Sequence, residues 1–305
     1  MRYSMLWLVP VILGITFLCG VALAVPNAPG NFITGNGTVS EYAPDGTLER
    51  TFADIAGIRS VAVGPLTANF FAADGTNLYE INAQTGIVST IATPVTHTKL
   101  NQPSDIAFAS NNRLYVTNRG TDSVLEVLVD IQGLPTYVLK STIGSGYLTN
   151  PSGLAFNSGK MFVSSGTNDI VVLNDSFGLV ATLKPATLTN PGGLAFGLNG
   201  LLYVVNNGGK NVLEVDPLTG TVLRTFSGNL ANPLTDPRNI AMLPSGNFLV
   251  TDAGGVVEFD ATTGLPVHTF AIGSVNGIAT VVPEPFSIAL LGIGLAGLAY
   301  RRRKS

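Results

Sequence analysis

The chain has 305 residues, only 11% of them charged, with 16 Lys and Arg against 19 Asp and Glu, two His and one Cys. The acid excess argues against nucleic acid and anionic lipid surfaces as partners, and a single Cys excludes an internal disulfide. Thirty-five glycines in a Ser-, Thr- and Asn-rich chain predict strands and turns rather than helices.

The N-terminus reads as an export signal. Arg2 is a minimal charged segment, Met5–Val21 is apolar, and Ala22-Leu23-Ala24 is an A-x-A site, so residues 1–24 are expected to be cleaved after Ala24. Leu18, before Cys19, lacks the small side chain of a lipoprotein site. Cys19 and Trp7 leave with the signal, and the mature chain then has no thiol chemistry and no Trp stacking platform.

Residues 25–282 form one expected domain, with no Pro/Ser linker or charge block dividing them. Without Arg2, Glu284 and the four tail cations, 11 cations face 18 anions, a net charge of −7. Three stretches show one pattern: "LTNPSGLAFNSGKMFVSSGTNDIVVLNDSFGLVATL", "LTNPGGLAFGLNGLLYVVNNGGKNVLEVDPLTGTVLRTF" and "LTDPRNIAMLPSGNFLVTDAGGVVEFDATTGLPVHTF". Each runs Pro, strand, turn, strand, polar loop, strand, Gly, strand. The turn glycines Gly46, Gly86, Gly133, Gly178, Gly220 and Gly264 are 40, 47, 45, 42 and 44 residues apart. Four short strands at that period describe a propeller blade, and glycine suits a tight hairpin that needs φ > 0. The strands are nearly continuous apolar runs, as expected where both faces of a blade are buried.

Six turn glycines accompany five complete units. The first unit lacks its opening strand, and "VNGIATVV" after the last unit has no partners. The fold is therefore expected to be an all-β, six-bladed β-propeller. Its C-terminal strand, Asn276–Val282, pairs with Asn31–Phe52 and removes the free sheet edges. A β-helix or sandwich is the alternative. "LYVTNRGTDSVLEV" (Leu114–Val127) and "LYVVNNGGKNVLEVDPLTGTVLRTF" (Leu202–Phe226) resemble NHL and YVTN propeller repeats over about 250 residues. The resemblance implies a fold and no single function, since such propellers include lyases, lactonases, glycan or protein binders and scaffolds.

Candidate chemistry is sparse. His97, in a Thr-rich loop, and His268, in an outer strand, sit in no metal or nucleophile motif, and no G-x-S-x-G, P-loop or Rossmann pattern occurs. No catalytic residue, cofactor site or metal site is assigned. Inner strands are expected to begin at the channel with Arg59-Ser60, Ser104-Asp105, Ser152-Gly153, Gly192-Gly193, Arg238-Asn239 and Asn276-Gly277. Gluconolactonase-like propellers hold a divalent ion there. Asp105, Asn239 and Asn276 mimic part of such an oxygen set, while Arg59 and Arg238 oppose a cation. The polar loops Asn118–Asp122, Ser164–Asp169 and Asn206–Asn211 line one rim, with ordinary turn composition or as a binding surface.

The chain closes on Pro283-Glu284-Pro285, an apolar run from Phe286 to Tyr300, and Arg301, Arg302, Arg303 and Lys304. Fifteen residues of helix reach about 22 Å, short of the roughly 20 residues of a comfortable span. The cations hold the C-terminus on the cytoplasmic side. The segment reads as a weak transmembrane anchor with the body outside; a helix packed on a soluble domain is the alternative. Val282-Pro283-Glu284-Pro285, Ser287, Leu290-Leu291-Gly292, Gly297-Leu298 and Arg301–Lys304 resemble a PEP-CTERM sorting tail, over residues 283–305. That resemblance implies recognition by an exosortase, a membrane cysteine protease-like enzyme. It implies cutting near Pro-Glu-Pro and passage to the surface or medium of a Gram-negative, exopolysaccharide-making cell.

The expected function is an exported, non-enzymatic propeller. It serves as a surface or matrix binding module with a polysaccharide or surface protein as partner, and passes through an inner-membrane intermediate. A divalent-metal lactonase- or lyase-like enzyme is the alternative. An ice-adhering surface ranks below both, because the Thr residues are scattered over the repeats.

Overall fold

A computed structural model of the chain describes residues 30–35, 37–65, 69–93, 96–128, 138–228 and 233–281. These residues form six four-stranded antiparallel sheets. Blade 1 contains β1 (Phe32–Gly35), β2 (Gly37–Tyr42) and β3 (Leu48–Ile55). Blade 2 contains β4 (Ser60–Val63), β5 (Phe70–Ala73), β6 (Leu78–Ile81) and β7 (Val88–Ala92). Blade 3 contains β8 (Pro103–Phe108), β9 (Leu114–Asn118), β10 (Ser123–Leu128) and β11 (Val138–Ile143). Blade 4 contains β12 (Leu154–Asn157), β13 (Lys160–Ser165), β14 (Asp169–Leu173) and β15 (Leu179–Leu183). Blade 5 contains β16 (Pro191–Phe196), β17 (Leu202–Asn206), β18 (Asn211–Val215) and β19 (Val222–Phe226). Blade 6 contains β20 (Ile240–Met242), β21 (Phe248–Asp252), β22 (Gly255–Phe259) and β23 (Pro266–Phe270), and β24 (Gly277–Thr280) follows.

The closure expected from the sequence is present. β24 pairs with β1 in the register Phe32↔Thr280, Ile33↔Ala279, Thr34↔Ile278 and Gly35↔Gly277. It is the innermost strand of blade 1, in the order β24-β1-β2-β3. Beyond it, the Val281 N–H donates to the Asn31 carbonyl at 2.8 Å, and the Gly30 N–H donates to the Val281 carbonyl at 3.2 Å. The ring of inner strands β24, β4, β8, β12, β16 and β20 thus closes without a free edge.

Period-two alternation explains the continuous apolar runs, because successive side chains feed opposite faces of the sheet. Phe70 and Ala72 pack against blade 1 with Ile33 and Val39, whereas Phe71 and Ala73 pack against blade 3 with Leu114 and Val116. In β17, Leu202 and Val204 face blade 4, while Tyr203 and Val205 face blade 6. β9, β17 and β21 are buried at every residue; β19 and β23 end each blade half exposed. Glycines and a serine where inner strands begin let those strands approach. A Cβ on Gly153 would meet the Gly192 carbonyl, and one on Gly277 would lie 2.8 Å from Ser60 Cα.

The hairpins between third and fourth strands follow the expected chemistry with one correction. In three blades a five-residue turn opens on Asn or Asp and ends on Gly. Gly86, Gly220 and Gly264 have φ of +72°, +76° and +79° and donate back to Asn82, Asp216 and Asp260 carbonyls at 2.8, 2.9 and 2.8 Å. In blade 4 the Phe177 N–H donates to the Asn174 carbonyl at 2.8 Å, one residue sooner. The left-handed position (φ +62°) therefore falls on Phe177, and Gly178 is not left-handed. Gly133 lies outside the described residues.

Candidate functional site

All six inner strands run in the same direction through the channel. Their beginnings line a polar cavity of about 580 Å³ that includes Arg59, Ser104, Asp105, Ser152, Gly192, Gly193, Arg238, Asn239 and Asn276. Their far ends, among them Val63, Phe108, Met242 and Thr280, line an apolar cavity of about 410 Å³. Asp105 and Asn239 line both and form the waist between them.

The waist is a hydrogen-bonded plug. Asp105 is buried, and its Oδ1 accepts from Ser60 Oγ at 2.5 Å and from Asn239 Nδ2 at 3.3 Å. Its Oδ2 accepts from the Leu154 N–H at 2.9 Å. Burial pushes the Asp105 carboxyl above its ordinary range, against the opposing pull of Ser60, the Leu154 N–H and Asn239. The Asn239 Oδ1 accepts from the Ile240 N–H at 2.8 Å. Asn276 does not join the pair: its Oδ1 takes Arg238 Nη1 and its Nδ2 donates to the Ile58 carbonyl at 2.9 Å. Calcium takes six to eight oxygen ligands and magnesium six. Here each side-chain oxygen of the trio already accepts a hydrogen bond, and among the described residues no three His, Cys, Asp or Glu cluster. The trio does not fit an ion site.

Around the waist, hydroxyls tie one blade to the next. Thr117 Oγ1 accepts from the Asp105 N–H at 2.7 Å and donates to the Ser152 carbonyl at 3.0 Å. Ser164 Oγ links the Gly153 N–H to the Gly192 carbonyl, and Thr251 Oγ1 links the Asn239 N–H to the Asn276 carbonyl. Blade 5 has Val205 at this place, and there the Gly193 N–H reaches the Arg238 carbonyl directly at 2.9 Å.

In blades 3, 5 and 6 the next residue of the second strand pins the loop that precedes the inner strand. Asn118 accepts from the Asn101 N–H at 2.7 Å, Asn206 from the Thr189 N–H at 2.7 Å, and Asp252 from the Asp236 N–H at 2.7 Å. Much of the rim polarity read from the sequence is therefore turn architecture. Eight cavity residues lie outside the inner-strand positions expected from the repeats, among them the polar Asp74, Arg119, Asn190, Asn207 and Asp236. Arg119 and Asn207 lie in the rim loops, and Asp74 occupies the position of Asn118 in its own blade. That positional equivalence was the available signal.

The cavity's charges are unevenly compensated. Burial raises Asp74, but the Tyr79 hydroxyl and the Asn77 and Thr76 N–H groups outweigh it and leave the carboxyl below its usual range. Arg238, then Asn207, hold Asp236 below its usual range. Arg119 Nε donates to Asn150 Oδ1 at 2.8 Å; burial, then the positive charge of Arg59, pull its guanidinium down from the ordinary arginine value.

The histidines stand elsewhere. His268 Nδ1 lies 2.8 Å from Glu258 Oε2 on the outer strand β23, and His97 Nδ1 lies 2.9 Å from Thr96 Oγ1. Pro283, Glu284, Pro285, Arg301–Lys304, Ala22 and Ala24 all lie outside the described residues, as do the expected signal and anchor segments. No helix among the described residues is long and apolar enough to cross a membrane.

The fold and this channel define a six-bladed propeller. Residues 281–304 match the PEP-CTERM protein-sorting motif, directly after the closing strand. A chain of a nidogen/laminin complex aligns with TM-score 0.66 at 16% identity, covering 83% of this chain and 98% of that one. A gluconolactonase from Xanthomonas campestris aligns with TM-score 0.55 at 16% identity, over 72% and 78% of the two chains. A virginiamycin B lyase from Staphylococcus aureus aligns with TM-score 0.52 at 15% identity, over 74% and 75%. At such identities the likeness is one of fold. Among curated proteins none matches the chain. The sorting motif marks an exported protein that passes through the membrane, and implies processing by an exosortase-type enzyme.

Proposed function

We propose that this protein is a non-enzymatic binding module of the cell surface or extracellular matrix, held at the inner membrane by its tail until an exosortase-type enzyme releases it. One observation carries the reading. The described chain enters at Gly30 and leaves at Val281 side by side, next to Thr280 at the apolar end of the channel. The polar cavity opens at the other end. A propeller tethered through residues 283–305 therefore turns its polar cavity away from the membrane, toward whatever lies outside. Binding rather than turnover is supported by the placement of both histidines outside the cavity and by the engaged oxygens of Asp105, Asn239 and Asn276. A surface polysaccharide or surface protein is the partner class.

The test is the intact mass of the protein from its native host, beside a variant with Pro283→Ala, Glu284→Ala and Pro285→Ala. The expected wild-type mass begins at Val25 and ends near residues 282–286, while the variant retains Arg301–Ser305. A wild-type mass that includes Ser305 sinks the release step and leaves a tethered propeller.

A further inference from the structure

The six described arginines fall into two groups. Arg50, Arg113, Arg224 and Arg238 each pair with a carboxylate: Glu41, Glu126, Glu214 and Asp236. Arg59 and Arg119 have no carboxylate partner among the described residues, and both line the polar cavity. Among the described residues Arg59 donates no side-chain hydrogen bond, and Arg119 donates one, to the neutral amide of Asn150. Both are half buried, so each loses hydration without a counter-charge to replace it. They come from adjacent blades and line one cavity, and after burial the charge of Arg59 is what lowers Arg119. Ser104 also lines the cavity, and its hydroxyl has no hydrogen-bond partner among the described residues.

We propose that Arg59, Arg119 and Ser104 form a clamp for the carboxylate of a uronic-acid sugar. Guanidinium forks match a planar carboxylate in two-pronged geometry. The two arginines without carboxylate partners favour an anion. Three guanidinium groups line the cavity beside Asp74 and Asp236, both held below the usual carboxylate range by their neighbours, and buried Asp105, whose oxygens are engaged within the waist. Arg59 and Arg119 are the two lining cations without a carboxylate partner among the described residues. The rest of the lining offers hydroxyls, amides, glycine backbone and two prolines, Pro191 and Pro237, and its hydrogen-bonding groups suit a hydroxyl-rich ring. The volume of about 580 Å³ lies in the range of small-ligand sites. The inference rests on the binding-module reading and names its ligand class.

The experiment is calorimetric titration of the full mature protein with sodium galacturonate, galactose, inorganic phosphate and a short galacturonate oligomer. Galacturonate or its oligomer should bind saturably and more weakly at high salt, with galactose and phosphate at least about tenfold weaker. Arg59→Gln and Arg119→Gln should each weaken binding about ten- to a hundredfold, the loss expected for one charged hydrogen-bonding partner. Neither variant should lower the thermal midpoint, because each removes an uncompensated cation; a drop would assign that arginine a structural role and overturn the clamp. Binding of the monomer identifies a free sugar acid as sufficient, and binding of the oligomer alone identifies a glycan residue. Phosphate binding equal to galacturonate, or no saturable binding by either acid, overturns the proposal. Binding of the double variant to host surface polysaccharide at wild-type strength would sink the clamp and leave the module reading standing. A wild-type protein that retains no surface material at all would sink the module reading itself.

Discussion

Asn239 Nδ2 donates across the channel to Asp105 Oδ1 at 3.3 Å, joining blade 6 to blade 3. The two residues are 134 positions apart, and their bond joins blades that have two others between them. Together with Ser60 it makes the waist a structural plug.

The buried Asp105 carboxyl should leave a pH signature. Its pKa is raised by burial, so the native state holds its proton at pH values where the unfolded chain has lost it. The contribution to stability is fully present below the ordinary aspartate range and is lost as pH rises through the raised value. Thermal midpoints measured from acid to neutral pH should therefore carry a falling component, and Asp105→Asn should remove it. An identical pH profile in the variant would assign the titration to other groups.

Closure is the second expectation. Ile278 is 4% exposed and packs with Phe32, Ala241, Leu249 and Val256 between blades 6 and 1. Ile278→Ala should cost about 2 to 5 kcal/mol, the usual range for emptying a buried aliphatic site. Because β24 holds β1 in register, the β1 amides should lose hydrogen-exchange protection before those of β17. Uniform loss across all blades would show that closure is not the weak seam.

The blades were legible because glycine spacing and apolar runs repeat, and a repeat needs only one-dimensional information. The unpartnered "VNGIATVV" made closure legible for the same reason: a strand without neighbours must find them. The channel was less legible. Equivalent positions predicted that Asp105, Asn239 and Asn276 reach the axis, but not that Asn276 turns to Arg238 and Ile58. Arg119 was hidden in "NRGTD", whose Gly, Thr and Asp are ordinary turn residues. What distinguishes it is the absence of a carboxylate neighbour, a fact of three dimensions.

Turn glycines give a graded prediction. Gly46 has φ of +83°, and an added Cβ would run into the Phe270 ring. Gly37 has φ of +75° and open space around it. Gly37→Ala should cost about 1 to 2 kcal/mol of backbone strain alone. Gly46→Ala should cost that plus about 1 to 3 kcal/mol of overpacking. Chemical denaturation of the two variants ranks them, and equal midpoints would show that Phe270 moves aside freely.

Tyr203 makes the last case, where two groups titrate in opposite senses. Its hydroxyl donates to Glu214 Oε1 at 2.6 Å, and Arg224 Nη2 donates to the same oxygen at 2.8 Å. Burial, then the glutamate, push the phenol up to about 12. Burial also works to raise Glu214, but Arg224 and then Tyr203 outweigh it and hold the carboxyl below its usual range. Tyr203 therefore contributes stability that is intact below the ordinary tyrosine value of roughly 10 and is lost as pH climbs toward about 12. Glu214 contributes stability that is present above the ordinary glutamate range and is lost as pH falls through its lowered value. Tyr203→Phe should cost about 1 kcal/mol at neutral pH and delete the slowest-rising step of the alkaline tyrosinate absorbance. Arg224→Ala should cost about 1 to 3 kcal/mol, because it strips buried Glu214 of its cation. It should also shift acid unfolding to higher pH, since Glu214 then takes up a proton sooner. A variant whose acid limb superimposes on the wild type would show that Asn199, which donates to the same glutamate at 3.1 Å, and Tyr203 are sufficient to hold the charge.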